Sequence, residues 1–75
     1  MEEIKSIEER LRIGKRIADL RKAKGWTQAQ LAAECGLQQA HIARIEAGRY
    51  SVGLDTLTYI AQSLGGTIDI VINNK

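Results

Sequence analysis

Amide and guanidinium side chains that can bind a nucleic acid duplex lie close together in the middle of this chain. Four of them are Gln28, Gln39, Arg44 and Arg49. An amide can form paired hydrogen bonds with the edge of adenine, and a guanidinium can do the same with guanine or hold a phosphate. Their types and spacing therefore indicate DNA binding. A protein-interaction module is the alternative, although acidic or bulky apolar side chains would be expected at these positions in such a module.

The sequence has none of the arrangements that are typical of an enzyme. It shows no paired carboxylates, no nucleophile with a base, and no phosphate-binding glycine loop. Its single cysteine, Cys35, and its single histidine, His41, are too few for a structural zinc site. We therefore predict no enzymatic activity and no cofactor. We interpret Cys35 as a small core residue, with a redox switch as the alternative, and His41 as a solvated surface residue, with DNA contact as the alternative.

The length of the chain limits its stability. Seventy-five residues allow one small domain, which buries only about 60% of the surface exposed in the unfolded chain. One cysteine permits no internal disulfide, which fits a reducing compartment. We find no membrane-spanning stretch and no signal peptide, so we expect a cytoplasmic protein. A second subunit is the expected support for so small a core.

Positive charge is concentrated in the N-terminal half, although the formal net charge is only +2. Between residues 10 and 24 one acid, Asp19, stands against seven bases: Arg10, Arg12, Lys15, Arg16, Arg21, Lys22 and Lys24. This run predicts a side that faces a polyanion, with a solvated helix face as the alternative. So modest a net charge argues against a non-specific DNA-binding protein.

Capping signals and apolar periodicity predict four helices. A capping box at Ser6 and Glu9 predicts a first helix over residues 7–24. A second box, Thr27 with Gln30, opens a helix that Gly36 ends. The remaining helices are predicted over residues 39–47 and, after Gly53, up to the glycine pair at 65–66. The short connection at 36–38 is typical of a helix-turn-helix.

The last segment has the period of a strand. Residues 67–73 are β-branched and alternating, with Ile68, Ile70 and Ile72 on one face. The chain offers no second strand, so the predicted partner is the same segment of a second copy, antiparallel across a two-fold axis. A frayed tail, or a strand added to another protein, are the alternatives.

Residues 13–64 resemble the Cro/repressor (XRE-like) helix-turn-helix family. The resemblance is carried by Ile13-Gly14-Lys15-Arg16-Ile17-Ala18-Asp19-Leu20-Arg21, Gly25-Trp26-Thr27-Gln28-Ala29-Gln30-Leu31-Ala32, Gly36-Leu37 and Ile42-Ala43-Arg44-Ile45-Glu46-Ala47-Gly48-Arg49. It implies a mainly α fold, a compact four-helix, lambda-repressor-like bundle, to which we add one C-terminal β-strand pairing across a homodimer. The predicted domains are residues 1–66, with the helix-turn-helix unit at 27–47, and a dimerisation strand at 67–75.

The resemblance also implies a set of base contacts. Gln39 matches the main base-reading position, Ala40 the second and Arg44 a third. Gln38 departs from the Ser or Thr that the family often has before the recognition helix, and we expect it to contact a base or the DNA backbone.

Further positions match backbone contacts and a structural ion pair. Gln28 matches a glutamine that approaches a phosphate and braces the first recognition glutamine, which is Gln39 in this chain. The other expected backbone contacts are Thr27, Arg49 and Tyr50. Two further residues, Arg21 and Glu46, match a structural salt bridge of the family.

Together these features predict a homodimeric, sequence-specific DNA-binding protein that acts as a repressor on a palindromic operator. The layout of four helices and a strand is similar to that of HipB-like antitoxins, which repress their own operon and bind a toxin. An antitoxin subunit is therefore one alternative, and an interaction module that has lost DNA binding is another.

Overall fold

A computed structural model describes residues 2–70, which form four α-helices joined by short turns. The helices are α1 (Glu2–Ala23), α2 (Gln28–Cys35), α3 (Gln39–Glu46) and α4 (Leu54–Ser63). The prediction of a mainly α, four-helix chain is therefore confirmed. None of these helices is long and apolar enough to cross a membrane.

The start of α1 differs from the prediction. The helix begins at Glu2, so Ser6 lies inside it and is not an N-cap. At the other end, Gly25 has a φ of +75° and its amide donates to Lys22 O at 2.9 Å, which ends the helix as predicted.

Local capping fixes both ends of α2. The Thr27 hydroxyl accepts from Gln30 N at 3.1 Å, and Gln30 Oε1 accepts from Thr27 N at 2.7 Å, so the predicted capping box is formed. Gly36 has a φ of +70°, and the following amide, Leu37 N, donates to Ala32 O at 2.9 Å. This left-handed turn allows only three residues to separate α2 from α3.

The core lies where the four helices meet. Its fully buried large side chains are Leu31, Ile42, Ile45 and Ile60, with Ile17 and Ala32 nearly as deep. Helix α3 packs against both α1 and α2, and α4 packs against α2. The helix-turn-helix unit of α2 and α3 is therefore held through its own buried face.

Gly14 permits a close crossing of α1 over the end of α3. A Cβ atom at this position would overlap the backbone oxygens of Ile45 and Glu46, and its distance to Glu46 O would be 2.6 Å. A glycine inside a helix costs about 1 kcal/mol relative to alanine. The close contact between α1 and the end of α3 therefore requires glycine at position 14, despite its lower helix propensity.

The predicted C-terminal strand is not found in the described part of the segment. Residues 66–70 have no regular secondary structure, and Ile70 is 82% exposed. A strand needs a hydrogen-bonded neighbour, and the single chain offers none among residues 2–70. Ile72 and the rest of residues 71–75 lie outside the described residues.

Candidate nucleic-acid interface

The exposed side of α3 carries the three residues predicted to read bases. Gln39, Ala40 and Arg44 are all exposed, whereas Ile42 and Ile45 are buried. At 100° per residue the three exposed positions span an arc of about 140°, and the two isoleucines lie outside it. The structure therefore presents Gln39, Ala40 and Arg44 together on one face.

Small side chains on this face leave room for a close approach to DNA. Ala40 is exposed and Ala43, within the same arc, is half-buried. Gln38 precedes the helix with extended backbone and makes no side-chain cap hydrogen bond. Its amide is exposed beside Gln39 and is available to another molecule.

Gln28, in the first turn of α2, makes a different contact from the one expected. Its Nε2 donates to Glu46 Oε1 at 3.0 Å. Among residues 2–70 no hydrogen bond joins Gln28 to Gln39, so the expected bracing of Gln39 is not formed. One amide hydrogen and the carbonyl oxygen of Gln28 remain for other partners. Thr27 is exposed next to it, with its hydroxyl oxygen already accepting from Gln30 N.

Arg21 and Glu46 form a buried ion pair behind this surface. Arg21 Nε donates to Glu46 Oε2 at 2.7 Å, and Arg21 Nη2 donates to Glu46 Oε1 at 3.0 Å. The remaining guanidinium nitrogen, Nη1, donates to Trp26 O at 2.8 Å. The hydrogen bonds to Glu46 raise the pKa of Arg21 above its ordinary value, against the opposing effect of burial.

This cluster of Arg21, Glu46 and Gln28 joins three helices. Arg21 belongs to α1, Glu46 ends α3, and Gln28 begins α2. A charged hydrogen bond is shorter and stronger than a neutral one, and the two-pronged geometry restricts orientation. The cluster therefore fixes the N-terminus of α2 relative to the end of the recognition helix.

The loop after α3 places Arg49 and Tyr50 beside the recognition helix. Both are exposed, and Arg49 N donates to Arg44 O at 2.9 Å. The Tyr50 ring meets the His41 ring edge-on, with 4.7 Å between centroids and an interplanar angle of 67°. His41 thus packs against Tyr50 at this surface.

The interpretation of His41 as a solvated surface residue was wrong. The side chain is half-buried, and its Nε2 atom is buried with no hydrogen-bond partner within the described chain. No local pattern indicates this contact, because Tyr50 lies in an irregular loop whose path depends on the tertiary fold. Cys35 is also half-buried, beside the core, with Sγ 3.4 Å from Ser63 Oγ.

The basic run of α1 is partly neutralised within the helix. Lys15 Nζ lies 2.9 Å from Asp19 Oδ2, Arg12 pairs with Glu9, and Arg21 is buried on Glu46. The hydrogen bond from Lys15 lowers the pKa of Asp19 below its ordinary 3.8. Less of this positive charge is free for a polyanion than the sequence suggests.

The described residues contain no group of three or more His, Cys, Asp or Glu side chains that could hold a metal ion. The surface described above consists of amide, hydroxyl, small, aromatic and guanidinium side chains. These groups donate and accept hydrogen bonds and attract anions. Such properties suit base edges and phosphates.

Known proteins share both the sequence pattern and this fold. The immunity repressor protein of Bacillus phage phi105 is 35% identical over 63 residues, which cover 84% of this chain and 44% of the repressor. The chain thus spans less than half the length of that relative. For two solved structures, the match covers more than 80% of the solved chain.

The first is the restriction-modification controller protein C.AhdI from Aeromonas hydrophila, with a TM-score of 0.77 at 30% identity over 80% of this chain and 87% of that one. The second is a chain of a toxin-antitoxin module from Streptococcus pneumoniae, with a TM-score of 0.72 at 35% identity over 99% of this chain and 81% of that one. A family model described as helix-turn-helix (HTH_3) matches residues 17–71. Since that match covers most of the chain, this chain belongs to the HTH_3 helix-turn-helix family.

Proposed function

We propose that this chain binds double-stranded DNA in a sequence-specific manner and regulates transcription, as a repressor. The observation that carries the proposal is the arc of Gln39, Ala40 and Arg44 on α3, opposite the buried Ile42 and Ile45. A helix enters the major groove with one polar, unobstructed side toward the bases. As a prokaryotic or phage regulator, the protein would act in the cytoplasm.

In this proposal α3 reads the bases. Gln39 forms paired hydrogen bonds with adenine, and Arg44 does so with guanine, each with about 1–3 kcal/mol of discrimination against a wrong base. Ala40 contacts a thymine methyl group, and Gln38 extends the contact beyond the helix start. The small side chain of Ala40 lets the helix backbone come close to the groove floor.

The residues around α3 hold the DNA backbone. Arg49 and Tyr50 approach phosphates on one side of α3, and Thr27 and Gln28 approach them at the N-terminus of α2, where free amides attract anions. The ion pair of Arg21 and Glu46 fixes the N-terminus of α2 relative to the end of α3, and so fixes the two sets of phosphate contacts relative to each other. These contacts fix orientation and carry no base preference.

We further propose that the active form is a homodimer, with residues 1–66 as the DNA-binding domain and 67–75 as the dimerisation segment. Ile68 and Ile70 are exposed apolar side chains, and Ile72 continues their alternation in the sequence. A strand that pairs with its own copy is one way to cover them. Two recognition helices would then enter successive major grooves about 34–36 Å apart on a palindromic site.

A selection of bound DNA from a random library tests the proposal. The unaltered protein is expected to enrich a palindrome, and Arg44→Ala is expected to relax the preference at one position in each half-site. Arg49→Ala is the matched control, because loss of a phosphate contact in each subunit weakens all sequences alike and reduces the salt slope by about one per subunit. A selection without enrichment would contradict sequence-specific binding.

An antitoxin role is the second candidate, favoured by the likeness to a chain of a toxin-antitoxin module. In that case the chain represses its own operon and binds a toxin encoded beside it. Co-expression with the product of the adjacent gene, followed by size-exclusion chromatography, tests this. A stable complex supports the role, and separate elution contradicts it. An interaction module without DNA binding would fail the library selection.

A further inference from the structure

An open apolar groove lies between α1 and α4. Its walls include Leu20 from α1, Leu57 and Ala61 from α4 and Leu64 just after α4, and Arg16 and Thr67 also belong to its lining. The groove has a volume of about 340 Å³. It lies on the α1 and α4 side of the domain, and its lining includes none of the α3 residues proposed to read bases.

The chain continues from the end of this groove into uncovered apolar residues. Gly66 N donates to Ala61 O at 2.9 Å, which turns the chain out of α4. Thr67 still lines the groove, but Ile68 is 36% exposed and Ile70 is 82% exposed. Residues up to Ile70 therefore leave the chain's own groove uncovered.

We propose that the groove receives the C-terminal segment of a second copy of this chain, with Ile70 of one copy packed against Leu20 and Leu57 of the other. The proposal rests on the homodimer proposed above and adds the place where the two copies meet. A two-fold contact is self-complementary, so one chain must carry both the donor segment and the acceptor groove. This chain carries both. The contact therefore forms twice in the dimer, and it covers the groove and the apolar C-terminal segment of each copy.

Charge complementarity favours a second copy over an unrelated partner. Arg16 is exposed at the groove and makes no ion pair within the part of the chain that the structure describes. Asp69 lies between the two exposed isoleucines, and one of its oxygens, Oδ1, accepts from Ile70 N at 2.8 Å. Its other oxygen is available, so a segment that inserts Ile70 brings an acid to the basic side of the groove.

Cysteine cross-linking between two differently substituted chains tests the occupant of the groove. In a Cys35→Ser background, chains with Leu20→Cys are mixed with chains with Ile70→Cys and oxidised, and the products are separated by non-reducing electrophoresis. We expect a disulfide-linked pair as the main product. Chains with Tyr59→Cys, an exposed position of α4 outside the groove lining, are the matched control and should give little cross-linked product.

Two other products would overturn the proposal. If Leu20→Cys and Ile70→Cys in one chain close a disulfide within a monomer, the segment covers its own groove. If Ile70→Cys links to itself in preference to Leu20→Cys, the two segments pair with each other as a ribbon.

Charge exchange gives a second test that does not depend on cysteine geometry. Arg16→Glu and Asp69→Arg should each weaken the dimer by up to about 30-fold, since each removes two symmetry-related exposed ion pairs that contribute up to about 1 kcal/mol apiece. The combined variant should restore the affinity, as measured by sedimentation equilibrium without DNA. A combined variant as weak as the single ones would contradict the contact.

Failure of this inference can be separated from failure of the proposed function. A dimer in sedimentation without the Leu20–Ile70 cross-link overturns the groove contact and leaves the homodimer intact. A chain that stays monomeric at all concentrations overturns the groove and the homodimer together. DNA recognition is tested independently by the library selection.

Discussion

Gln28 and Glu46, eighteen positions apart in the sequence, are joined by a hydrogen bond of 3.0 Å between Nε2 and Oε1. The bond connects the first residue of α2 with the last residue of α3. Glu46 also holds Arg21, so one carboxylate positions both ends of the recognition unit. The proposed DNA surface is therefore linked to a buried ion pair, and substitutions behind the surface should change binding.

Replacing Gln28 with a carboxylate should disturb this link. Gln28→Glu places a second negative charge beside Glu46 and removes the donor, and like charges in contact repel. We expect lower thermal stability and weaker DNA binding on all sequences. Gln30→Glu is the matched control, because a glutamate still completes the capping box with Thr27 and is favourable at a helix N-terminus. Equal behaviour of the two variants in melting and gel-shift assays would contradict the link.

Removing Glu46 should be among the most damaging single changes. In Glu46→Ala the guanidinium of Arg21, only 8% exposed, keeps its charge and loses its partner. Because the pKa of Arg21 is raised above its already high ordinary value, its guanidinium is charged at every pH used in ordinary measurements. Loss of one partner of a buried pair costs about 3–5 kcal/mol, measurable by urea denaturation.

Two comparisons make this prediction specific. Arg12→Ala, which breaks the exposed pair with Glu9, should cost less than about 1 kcal/mol. Arg21→Met combined with Glu46→Met should lose less than Glu46→Ala, because no charge stays buried alone. Some loss should remain, since Trp26 O and Gln28 would lack their partners.

Gly14→Ala should destabilise the fold although alanine favours helices. The added Cβ would overlap the backbone oxygens of Ile45 and Glu46, which cannot move aside as a side chain could. Overpacking typically costs about 1–3 kcal/mol, which outweighs the gain of about 1 kcal/mol in helix propensity. Gly53→Ala is the control, because its Cβ would meet nothing within 4 Å among the described residues. Denaturation midpoints that move equally would refute the close crossing.

The features that sequence reasoning predicted correctly depend on short stretches of chain. The Thr27–Gln30 box and the stop at Gly36 are complete within a few residues, so their residue types alone indicate them. The buried and exposed sides of α3 follow from helical periodicity, which is also local. The ion pair of Arg21 and Glu46 was expected only from the family resemblance, since nothing in its spacing of 25 residues indicates a contact.

The sequence predictions failed, or missed a feature, where one local signal competed with another or where a contact joins residues from different elements. Ser6 has capping chemistry, but the residues before it are also good helix formers, so the helix continues through it. Gly14 and His41 act on residues from other elements, and their importance depends on how those elements cross. The isoleucine alternation after Gly66 indicates an apolar side but not what covers it.

The Lys15–Asp19 pair should give a small pH dependence of known sign. The hydrogen bond from Lys15 lowers the pKa of folded Asp19 below 3.8, so its contribution to stability is present above about pH 3.9 and is lost as the pH falls through the lower value. Asp19→Asn should therefore melt below the unaltered protein at pH 7 and low salt, and the difference should vanish once the pH lies well below the lowered pKa of Asp19. High salt should also reduce the difference, because both side chains are exposed.

His41 should act on DNA binding through Tyr50. In His41→Ala the edge-on contact at 4.7 Å is lost, and Tyr50 is no longer held beside α3. An aromatic pair contributes about 0.5–1.5 kcal/mol beyond its buried area. We expect DNA affinity to fall by about two- to ten-fold on all sequences, without a change in base preference. His41→Phe should keep the ring contact and remove the unpartnered Nε2, so its affinity should stay close to that of the unaltered protein.

A double-mutant cycle separates this positioning role from a direct contact of His41 with DNA. If His41 acts through Tyr50, then His41→Ala should have little further effect in a Tyr50→Ala background, because the side chain that it holds is already absent. Fluorescence anisotropy with labelled operator DNA measures all four proteins under one salt condition. Additive losses would show that His41 and Tyr50 act on DNA independently, and a base preference altered by His41→Phe would assign His41 to direct readout instead.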